Sequence, residues 1–450
     1  MCGIFAYLGK SPGRSALLAA VSAIRHRGQD GFGFWLNRGA GGVPHISHFR
    51  QAGAASIDVL SPVLEIADAS EHHSFVAHWR YGTRGGMDVE SAQPLLLEQG
   101  KAALVHNGQF SFSDQRKGWS GTDTQFFKHR LAEKQRRRLI DRITQVLETA
   151  SGAYTIVAAG EESLIVARDP FGFRPFFYGI YSGGVAFASE TTALEAIGCE
   201  KVEEVKPGER MEWFRDGWVV RHQSRKEKKA LCAFEPVYFH GPGGLLNGIS
   251  VKEHRLRLGA RLAEESGLAR GQVVSVPRSA DDFAAGYAKK LGLDCVPAIQ
   301  VRPDARRTFI QNPLSRPEMI RRKYRIEPTL VRGQIMTIID DSLVRGATMR
   351  HLACEMRRAG AREIHVRIGS PPFSHPCYYG INVPDPSELI SHQKPRQAIA
   401  EELGLDSLSY LSVEGLENVL GNGLCTGCFS GQYPEEKRYD FAQLMKVAAR

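Results

Sequence analysis

The sequence lacks the features that are typical of membrane-spanning and secreted proteins. It contains no run of about 18 apolar residues, the length that a helix needs to cross a bilayer, so we predict no transmembrane segment and no membrane partner. The opening residues MCGIFAYLG have neither a basic leader nor a long apolar stretch, so we expect no secretory signal and a cytoplasmic location. The chain has only 8 cysteines among 450 residues, which argues against a disulfide scaffold.

A net charge of +9 raises the question of a nucleic-acid partner. The positive charge is concentrated between residues 301 and 333, where nine Lys or Arg stand against three acidic residues. The sequence contains no zinc finger, no RNA-recognition signature and no basic stripe interleaved with aromatic residues. A basic loop beside a phosphate-binding strand explains the surplus equally well. We therefore predict no nucleic-acid partner.

The string IIDDSLVRGAT, residues 338–348, combines several features of a phosphate-binding site. An apolar strand ends in two carboxylates, Asp340 and Asp341, and a loop with Gly346 then leads into a helical pattern. The amides of such a loop and the helix dipole can hold a phosphate, and the carboxylates can hold sugar hydroxyls or a magnesium ion. An ordinary strand–loop–helix with two solvated acids is the alternative.

The second half of the chain alternates between strand and helix patterns. This rhythm predicts a parallel sheet with ligands at the carboxyl ends of its strands. The predicted strands are residues 272–276, 335–339 and 364–368, and the predicted helices are residues 250–265, 280–290 and 349–359.

The start of the chain suggests a second kind of chemistry. Cys2 becomes the N-terminal residue if the initiator Met is removed, and its thiol then lies beside a free α-amino group with a pKa of about 8, suited to a general base. A chance cysteine in a first strand is the alternative.

Four polar strings follow Cys2: HRGQDG from residue 26, HWRYGT from residue 78, HNG from residue 106 and TDT from residue 122. In this order they resemble the class II glutamine amidotransferases, which are N-terminal-nucleophile hydrolases.

That resemblance implies a role for each matching residue. A thiolate at Cys2 would attack the carboxamide of glutamine and release ammonia. The side chain of Asn107 and the backbone amide of Gly108 would stabilise the oxyanion. Arg80 would pair with the substrate carboxylate and Asp123 with its ammonium group. The implied glutamine-binding residues are Arg80, Thr83 and Asp123.

The string DDSLVRGAT likewise resembles the phosphoribosylpyrophosphate (PRPP) signature of type I phosphoribosyltransferases. The implied PRPP-binding residues are Arg345, Gly346, Ala347, Thr348 and Arg307. The implied Mg²⁺-binding residues are Ser279, Asp340 and Asp341.

The two resemblances together match the glutamine PRPP amidotransferase (amidophosphoribosyltransferase) family. The match implies an α+β N-terminal-nucleophile hydrolase sandwich (αββα) in residues 1–230, followed by an α/β phosphoribosyltransferase domain with a parallel sheet in residues 231–390. A C-terminal helical segment, residues 391–450, completes the predicted organisation. The charged stretch RHQSRKEKK, residues 221–229, marks the expected boundary. Ammonia from glutamine would displace pyrophosphate from C1 of PRPP and give 5-phosphoribosylamine, the first step of purine synthesis. The family also suggests a homodimer or homotetramer.

Four cysteines are expected to form a cluster site. Cys425 and Cys428 form a CxxC motif, and the family resemblance adds Cys232 and Cys377. We favour a [4Fe–4S] cluster of structural role, with a Cys₄ zinc site and four buried thiols as alternatives.

Some loops depart from the family pattern. Arg278 and Ala280 replace the Asp and Gly that usually flank the serine of one loop, and residues 302–310 keep only the end of a usual string. These departures leave two alternatives open. One is a divergent paralogue that transfers glutamine-derived ammonia to a different phosphosugar or acceptor, and the other is a non-catalytic regulatory homologue.

Overall fold

The structure is a computed structural model. It describes residues 1–40, 43–53, 55–60, 72–82, 88–112, 119, 121–134, 137–223, 228–267, 271–302, 323–383 and 385–435. Thr83 and Arg307, two of the predicted site residues, lie outside these ranges. Residues 303–310 of the divergent stretch 302–310 also lie outside them. No helix in the described ranges is long and apolar enough to cross a membrane.

The first part of the chain forms two antiparallel sheets. Its strands are β1 (Gly3–Lys10), β2 (Gly31–Ala40), β3 (Val43–Ala52), β4 (His72–Arg80), β5 (Leu95–Leu97), β6 (Ala102–Phe112), β7 (Ala150–Ala159), β8 (Ser163–Arg168), β9 (Phe177–Tyr181), β10 (Gly184–Ala188), β11 (Lys201–Glu204), β12 (Glu209–Phe214) and β13 (Val219–Gln223). Seven strands form one sheet in the order β11-β9-β10-β1-β4-β2-β3. Six form the other in the order β13-β12-β8-β7-β6-β5.

Strand β1 shows why the two sheets stack. Successive side chains of a strand point to opposite faces. Ile4, Ala6 and Leu8 therefore enter the core between the sheets, while Phe5 and Tyr7 enter the core on the outer side. The outer cores are covered by helices, which are α1 (Arg14–Ala23), α2 (Asp123–Ala132), α3 (Leu139–Leu147) and α4 (Thr191–Glu195). Helices α1 and α4 pack on the first sheet and α2 and α3 on the second, so the predicted αββα sandwich is confirmed.

The second part of the chain is built around a parallel sheet. The strands of this part, which include short pairs outside that sheet, are β14 (Leu231–Cys232), β15 (Leu245–Leu246), β16 (Ile249–Ser250), β17 (Gln272–Ser275), β18 (Ile299–Val301), β19 (Tyr324–Ile326), β20 (Ile335–Asp340), β21 (Glu363–Ile368), β22 (Ser407–Tyr410) and β23 (Leu424–Cys425). Its helices are α5 (Val251–Ser266), α6 (Asp281–Leu291), α7 (Pro328–Val331), α8 (Ala347–Arg358), α9 (Arg396–Leu403), α10 (Val413–Leu420) and α11 (Gly427–Ser430). Short turns of other helix types are Arg25–Arg27, Ile57–Leu60, Glu98–Gly100 and Pro386–Glu388 (3₁₀) and Glu235–Phe239 (π).

The parallel sheet has the strand order β17-β20-β21-β22 and is buried on both faces. Neighbouring residues of β20 show this directly, because Ile339 packs in the core of α5, α6 and α10 while Ile338 packs in the core of α8 and α9. The predicted parallel sheet is therefore confirmed. Its fourth strand, β22, comes from within residues 391–450, and the proposed domain limits at 230 and 390 stay predictions.

Helices α5 and α6 cross with their backbones in close contact. A Cβ atom added to Gly259 would lie 2.0 Å from the carbonyl oxygen of Phe283, and one added to Gly286 would lie 1.9 Å from that of Leu256. Glycine at both positions is thus a packing requirement of the helix pair, in which α6 covers β17 and β20 and α5 covers β21 and β22.

We expect Gly286→Ala to lower the stability of this part of the protein. The added methyl group has no room, and overpacking of this kind typically costs about 1–3 kcal/mol. The matched control is Gly160→Ala, where the nearest atom, Ser163 O, would lie at an ordinary 3.5 Å. Urea unfolding followed by circular dichroism should give a lower midpoint for Gly286→Ala alone, and equal midpoints for the two variants would contradict the packing argument.

Candidate active site

Cys2 lies just before β1 and is held by contacts to three other segments. Its backbone N–H donates to Asn107 Oδ1 at 3.2 Å, and its carbonyl oxygen accepts from Arg27 Nε at 3.0 Å. Its sulfur accepts from the backbone N–H of Tyr81 at 3.4 Å. Because β1 pairs with β4 and packs over β6, residues far apart in sequence meet at this thiol.

Two residues of β6 provide hydrogen-bond donors beside Cys2. Asn107 is 1% exposed, and within the described part of the chain its side-chain Nδ2 has no hydrogen-bond acceptor. A buried N–H group without an acceptor raises the free energy of the protein, so a ligand oxygen that accepts a hydrogen bond from it is bound favourably. Gly108 has φ 143°, and an added Cβ would lie 2.2 Å from Ala153 O, so only glycine fits there. This pair suits a developing oxyanion.

Asp123 and Arg80 frame the same region. Asp123 begins α2, is buried, and accepts from the backbone N–H of Phe110 on β6 at 3.1 Å. Arg80 ends β4, directly before Tyr81, and is buried although it carries a guanidinium. The structure therefore brings Cys2, Asn107 and Gly108 into one site with Asp123 and Arg80 on the neighbouring elements.

A second site lies at the carboxyl end of the parallel sheet, around a cavity of about 290 Å³. Every described residue that the sequence predicted for PRPP or Mg²⁺ lines it, namely Ser279, Asp340, Asp341, Arg345, Gly346, Ala347 and Thr348. Asp340 is the last residue of β20, and its Oδ1 accepts from the backbone N–H of Asp341 at 2.9 Å. The arrangement follows from the rule that parallel strands present their ligand sites at their carboxyl ends.

The cavity contains side chains of both charge signs, Asp340 and Asp341 with Lys323 and Arg345. Burial, and then the neighbouring carboxylate of Asp341, raise the pKa of Asp340 well above its ordinary value. Burial lowers the pKa of Lys323, which also lines the cavity, against the opposing effect of Asp340. Two adjacent carboxylates with a serine hydroxyl nearby are the oxygen donors that Mg²⁺ prefers, so the residues fit that ion.

The loop that ends at Gly346 leads into α8, which begins earlier than the sequence indicated. Gly346 adopts the left-handed conformation with φ 76°, and the helix starts at Ala347 instead of residue 349. The amides of residues 346–348 thus lie at a helix N-terminus, where an anion is favoured. The guanidinium of Arg345 is instead paired with Glu388, to which its Nε donates at 2.6 Å.

Three aromatic or basic residues of the site were missed as site residues from sequence alone. Tyr81, Tyr238 and Lys323 line the cavity of the second site. Tyr81 also contacts the sulfur of Cys2 through its N–H, and its ring packs edge-on against Phe239 at 5.8 Å. Its position inside the string HWRYGT was the only available signal. The two sites therefore adjoin, with Tyr81 in both.

The four cysteines predicted as cluster ligands are all buried. Cys232 and Cys425 are direct partners in the short parallel pair β14–β23. Burial raises the pKa of Cys425 and of Cys428; the thiols of Cys232 and Cys377 add to the effect at Cys425, and all three other thiols add to it at Cys428. The four thiols therefore lie near one another.

The backbone donors around the four cysteines favour a metal site, whereas the geometry of the described side chains does not show one. The sulfur of Cys377 accepts from the N–H groups of Tyr379 and Ile381, both at 3.4 Å, as a ligating thiolate would. In the described ranges, however, no group of three or more His, Cys, Asp or Glu has the geometry of a bound metal ion. The donor types fit a soft metal centre, since thiolates are ligands of zinc and iron–sulfur clusters.

Burial predicts the order in which the thiols react. Cys295 and Cys354 are exposed, whereas Cys428 is buried with a raised pKa. Because the thiolate is the reactive form, we expect iodoacetamide to modify the exposed pair at least about tenfold faster than the buried four. Mass spectrometry of the native protein after short labelling times measures this order. Labelling of Cys428 as early as Cys295 would contradict the placement.

Comparison with known proteins supports both halves of the site. Residues 68–223 match the family model described as a glutamine amidotransferase domain. The amidophosphoribosyltransferase of Bacillus subtilis is 33% identical, over 97% of this chain and 94% of its own length. The amidophosphoribosyltransferases of Methanocaldococcus jannaschii and Synechococcus elongatus are 32% and 34% identical, over 98% and 96% of this chain.

Solved structures give the same result for the whole fold. The glutamine PRPP amidotransferase from B. subtilis, complexed with ADP and GMP, superposes with a TM-score of 0.85 at 31% identity. The superposition covers 98% of this chain and 100% of the other. The similarity therefore includes both sheets of the sandwich, the parallel sheet and the order in which they occur.

Proposed function

We propose a division of labour between the two sites from the premise that the chain belongs to the amidophosphoribosyltransferase family. The sandwich hydrolyses glutamine, and the parallel-sheet site transfers the ammonia to PRPP. The products are glutamate, pyrophosphate and 5-phosphoribosylamine, the first intermediate of purine synthesis. The family predicted from the sequence is confirmed. The relatives support this reading over the divergent paralogue and the non-catalytic homologue.

In the glutaminase site, removal of Met1 leaves Cys2 with a free α-amino group as the general base. The sulfur attacks the carboxamide carbon of glutamine, and the amine takes the thiol proton and passes it to the leaving nitrogen. Ammonia leaves when the tetrahedral intermediate collapses to a thioester, and water then hydrolyses the thioester to glutamate and the free thiol. Asn107 Nδ2, which is otherwise without an acceptor in the described chain, and the Gly108 N–H stabilise the oxyanion. Arg80 binds the carboxylate of glutamine and Asp123 its ammonium group.

In the transferase site, the amides of residues 346–348 hold the 5-phosphate of PRPP, with Arg345 at its edge. Asp340 and Asp341 bind the ribose hydroxyls and, with Ser279, the ion that accompanies the pyrophosphate. Mg²⁺ held by these residues would neutralise charge on the leaving pyrophosphate. Lys323 provides further positive charge in the cavity. Thr83 and Arg307 keep their predicted roles in binding glutamine and PRPP.

The observation that carries this proposal is the position of Tyr81. Its N–H lies 3.4 Å from the sulfur of Cys2, and the residue also lines the cavity that contains Asp340 and Asp341. Ammonia released at the thiol therefore arises at the wall of the site that uses it. A glutaminase and a phosphosugar site with unrelated functions would have no need of this contact.

The cysteine site is proposed to hold a structural [4Fe–4S] cluster. Its support is the set of four buried thiols, three of which raise the pKa of the fourth, Cys428, together with the N–H donors to Cys377. A Cys₄ zinc site remains the chemical alternative. A homodimer or homotetramer and a cytoplasmic location remain predictions from the sequence.

Two variants separate the half-reactions. We expect Cys2→Ala to abolish glutamine-dependent pyrophosphate release from PRPP while leaving the ammonia-dependent reaction intact, because only the nucleophile is lost. We expect Asp341→Asn to lower both reactions by about 10²–10³-fold, because electrostatic stabilisation of the leaving group is common to both. Pyrophosphate release with PRPP, Mg²⁺ and either nitrogen source measures these rates. Wild-type protein that releases no pyrophosphate with either source would overturn the proposed function.

Metal content tests the cluster. Protein prepared without oxygen should be brown, with iron and acid-labile sulfide in equal amounts near four per chain. Cys425→Ser should lose the iron, whereas the matched control Cys354→Ser, at an exposed thiol, should keep it. Zinc in the same preparation would support the alternative, and a metal-free preparation would contradict both.

A further inference from the structure

Arg27 connects the nucleophile residue to two buried carboxylates. Its Nε donates to the carbonyl oxygen of Cys2 at 3.0 Å, and its Nη1 donates to Glu190 at 2.8 Å. Its Nη2 donates to both carboxylate oxygens of Glu235, at 2.8 and 2.9 Å. The side chains of all three charged residues have no exposed surface. Every nitrogen of this guanidinium is thus committed, and one of its bonds fixes the backbone of Cys2.

The two carboxylates come from different parts of the chain. Glu190 lies between β10 and α4, within the same sandwich as Arg27. Glu235 comes after β14, at the first position of the π-turn Glu235–Phe239. The sandwich therefore does not supply both partners of Arg27. A residue beyond its last strand completes the ion pair that supports its nucleophile.

The surrounding charge gives Glu235 a specific requirement. Arg174 is also fully buried, and its Nη1 lies 4.0 Å from Glu235. Two arginines and two glutamates therefore share one buried region. Buried charges are tolerated only when they are paired, so removal of one carboxylate leaves an excess of positive charge behind Cys2.

The turn that begins with Glu235 also reaches both active sites. Tyr238 lines the cavity of the transferase site beside Asp340 and Asp341. Phe239 packs against Tyr81, whose N–H contacts the sulfur of Cys2. This short turn thus contacts Arg27, which binds the carbonyl oxygen of Cys2, and Tyr81, which contacts the sulfur of Cys2. The same turn forms part of the cavity wall.

We propose that Glu235 is a positioning residue for the glutaminase reaction. It holds Arg27, and through Arg27 the backbone of Cys2, in register with the wall of the PRPP cavity. The inference rests on the proposed function, because it assigns a role within that reaction. It predicts that glutamine chemistry depends on a carboxylate that the glutamine amidotransferase domain itself does not contain.

The test compares Glu235→Gln with Glu212→Gln. Glu212 is a matched control because it is buried and accepts from Arg138 at 2.6 Å, in a strand that contributes to neither site. For Glu235→Gln we expect glutamine-dependent kcat to fall about 10²-fold, the scale of an ångström-sized misplacement of a reacting group, with KM for glutamine changed less than about threefold. The ammonia-dependent rate should stay within about twofold of wild type. Labelling of Cys2 by a diazoketone analogue of glutamine should slow in parallel with kcat.

A shorter carboxylate keeps the test decisive if Glu235→Gln does not fold. Glu235→Asp retains the charge but moves it away from Arg27. We therefore expect glutamine-dependent kcat to fall by a smaller factor than in Glu235→Gln, again without a matching fall in the ammonia-dependent rate. Glutamine-dependent kcat equal to that of Glu212→Gln would overturn the inference, as would an equal loss of the ammonia-dependent rate, which marks a general structural role. Wild-type protein inactive with both nitrogen sources would instead overturn the proposed function.

Discussion

The buried ion pairs of Arg27 constrain how the two parts of the molecule meet, because a guanidinium withdrawn from water accepts few neighbours. Arg27 and its partners Glu190 and Glu235 have no exposed side-chain surface. Breaking a buried pair typically costs about 3–5 kcal/mol, since an unpaired charge remains inside. Such pairs often add little net stability compared with apolar residues of the same size. Their contribution here is specificity, because any arrangement that moves Glu235 away from Arg27 leaves the charge unmatched.

Close backbone contact adds a second constraint at the same place. A Cβ atom on Gly380 would lie 3.1 Å from the carbonyl carbon of Gly108 and 3.3 Å from Nη2 of Arg174. Arg174 in turn donates to the carbonyl oxygen of Tyr379. The loop that contains Cys377 therefore rests on the strand that provides the proposed oxyanion donor. The cysteine site, the glutaminase site and the ion pairs are neighbours, although their residues are spread over the whole chain.

The sequence predicted the local features of this arrangement well and the long-range ones hardly at all. The strand predicted at residues 364–368 is Glu363–Ile368, and the helix predicted at residues 280–290 is Asp281–Leu291, because apolar periodicity records each element's buried face. The start of α8 was misplaced because the left-handed Gly346 ends the loop before the apolar pattern begins. Likewise, no local pattern indicates that Arg345 pairs with Glu388, 43 residues away, and its role in binding PRPP stays a prediction.

The ion pairs of Arg27 could not be found in this way. Its partners lie 163 and 208 residues further along the chain, and no periodicity relates them to it. Considered singly, each of the three residues would be predicted to lie on the protein surface, because Arg and Glu are rarely buried unless they are paired. The motif strings were readable because a family resemblance supplied the missing distance information. Pairings outside those strings had no such source.

The proximity of the two sites has a chemical consequence for the proposed reaction. Ammonia attacks C1 of PRPP only as the neutral amine, and an apolar environment disfavours its protonated form. The cavity wall includes Phe239, which packs against Tyr81, and also Phe234 and Phe373. Phe239 also packs against Phe234, and Phe234 packs against Phe373. These rings give an apolar character to the part of the cavity wall beside Tyr81, whose N–H contacts the sulfur of Cys2. The turn that begins with Glu235 thus positions the nucleophile and, at Tyr238 and Phe239 three and four residues further on, forms part of this cavity wall.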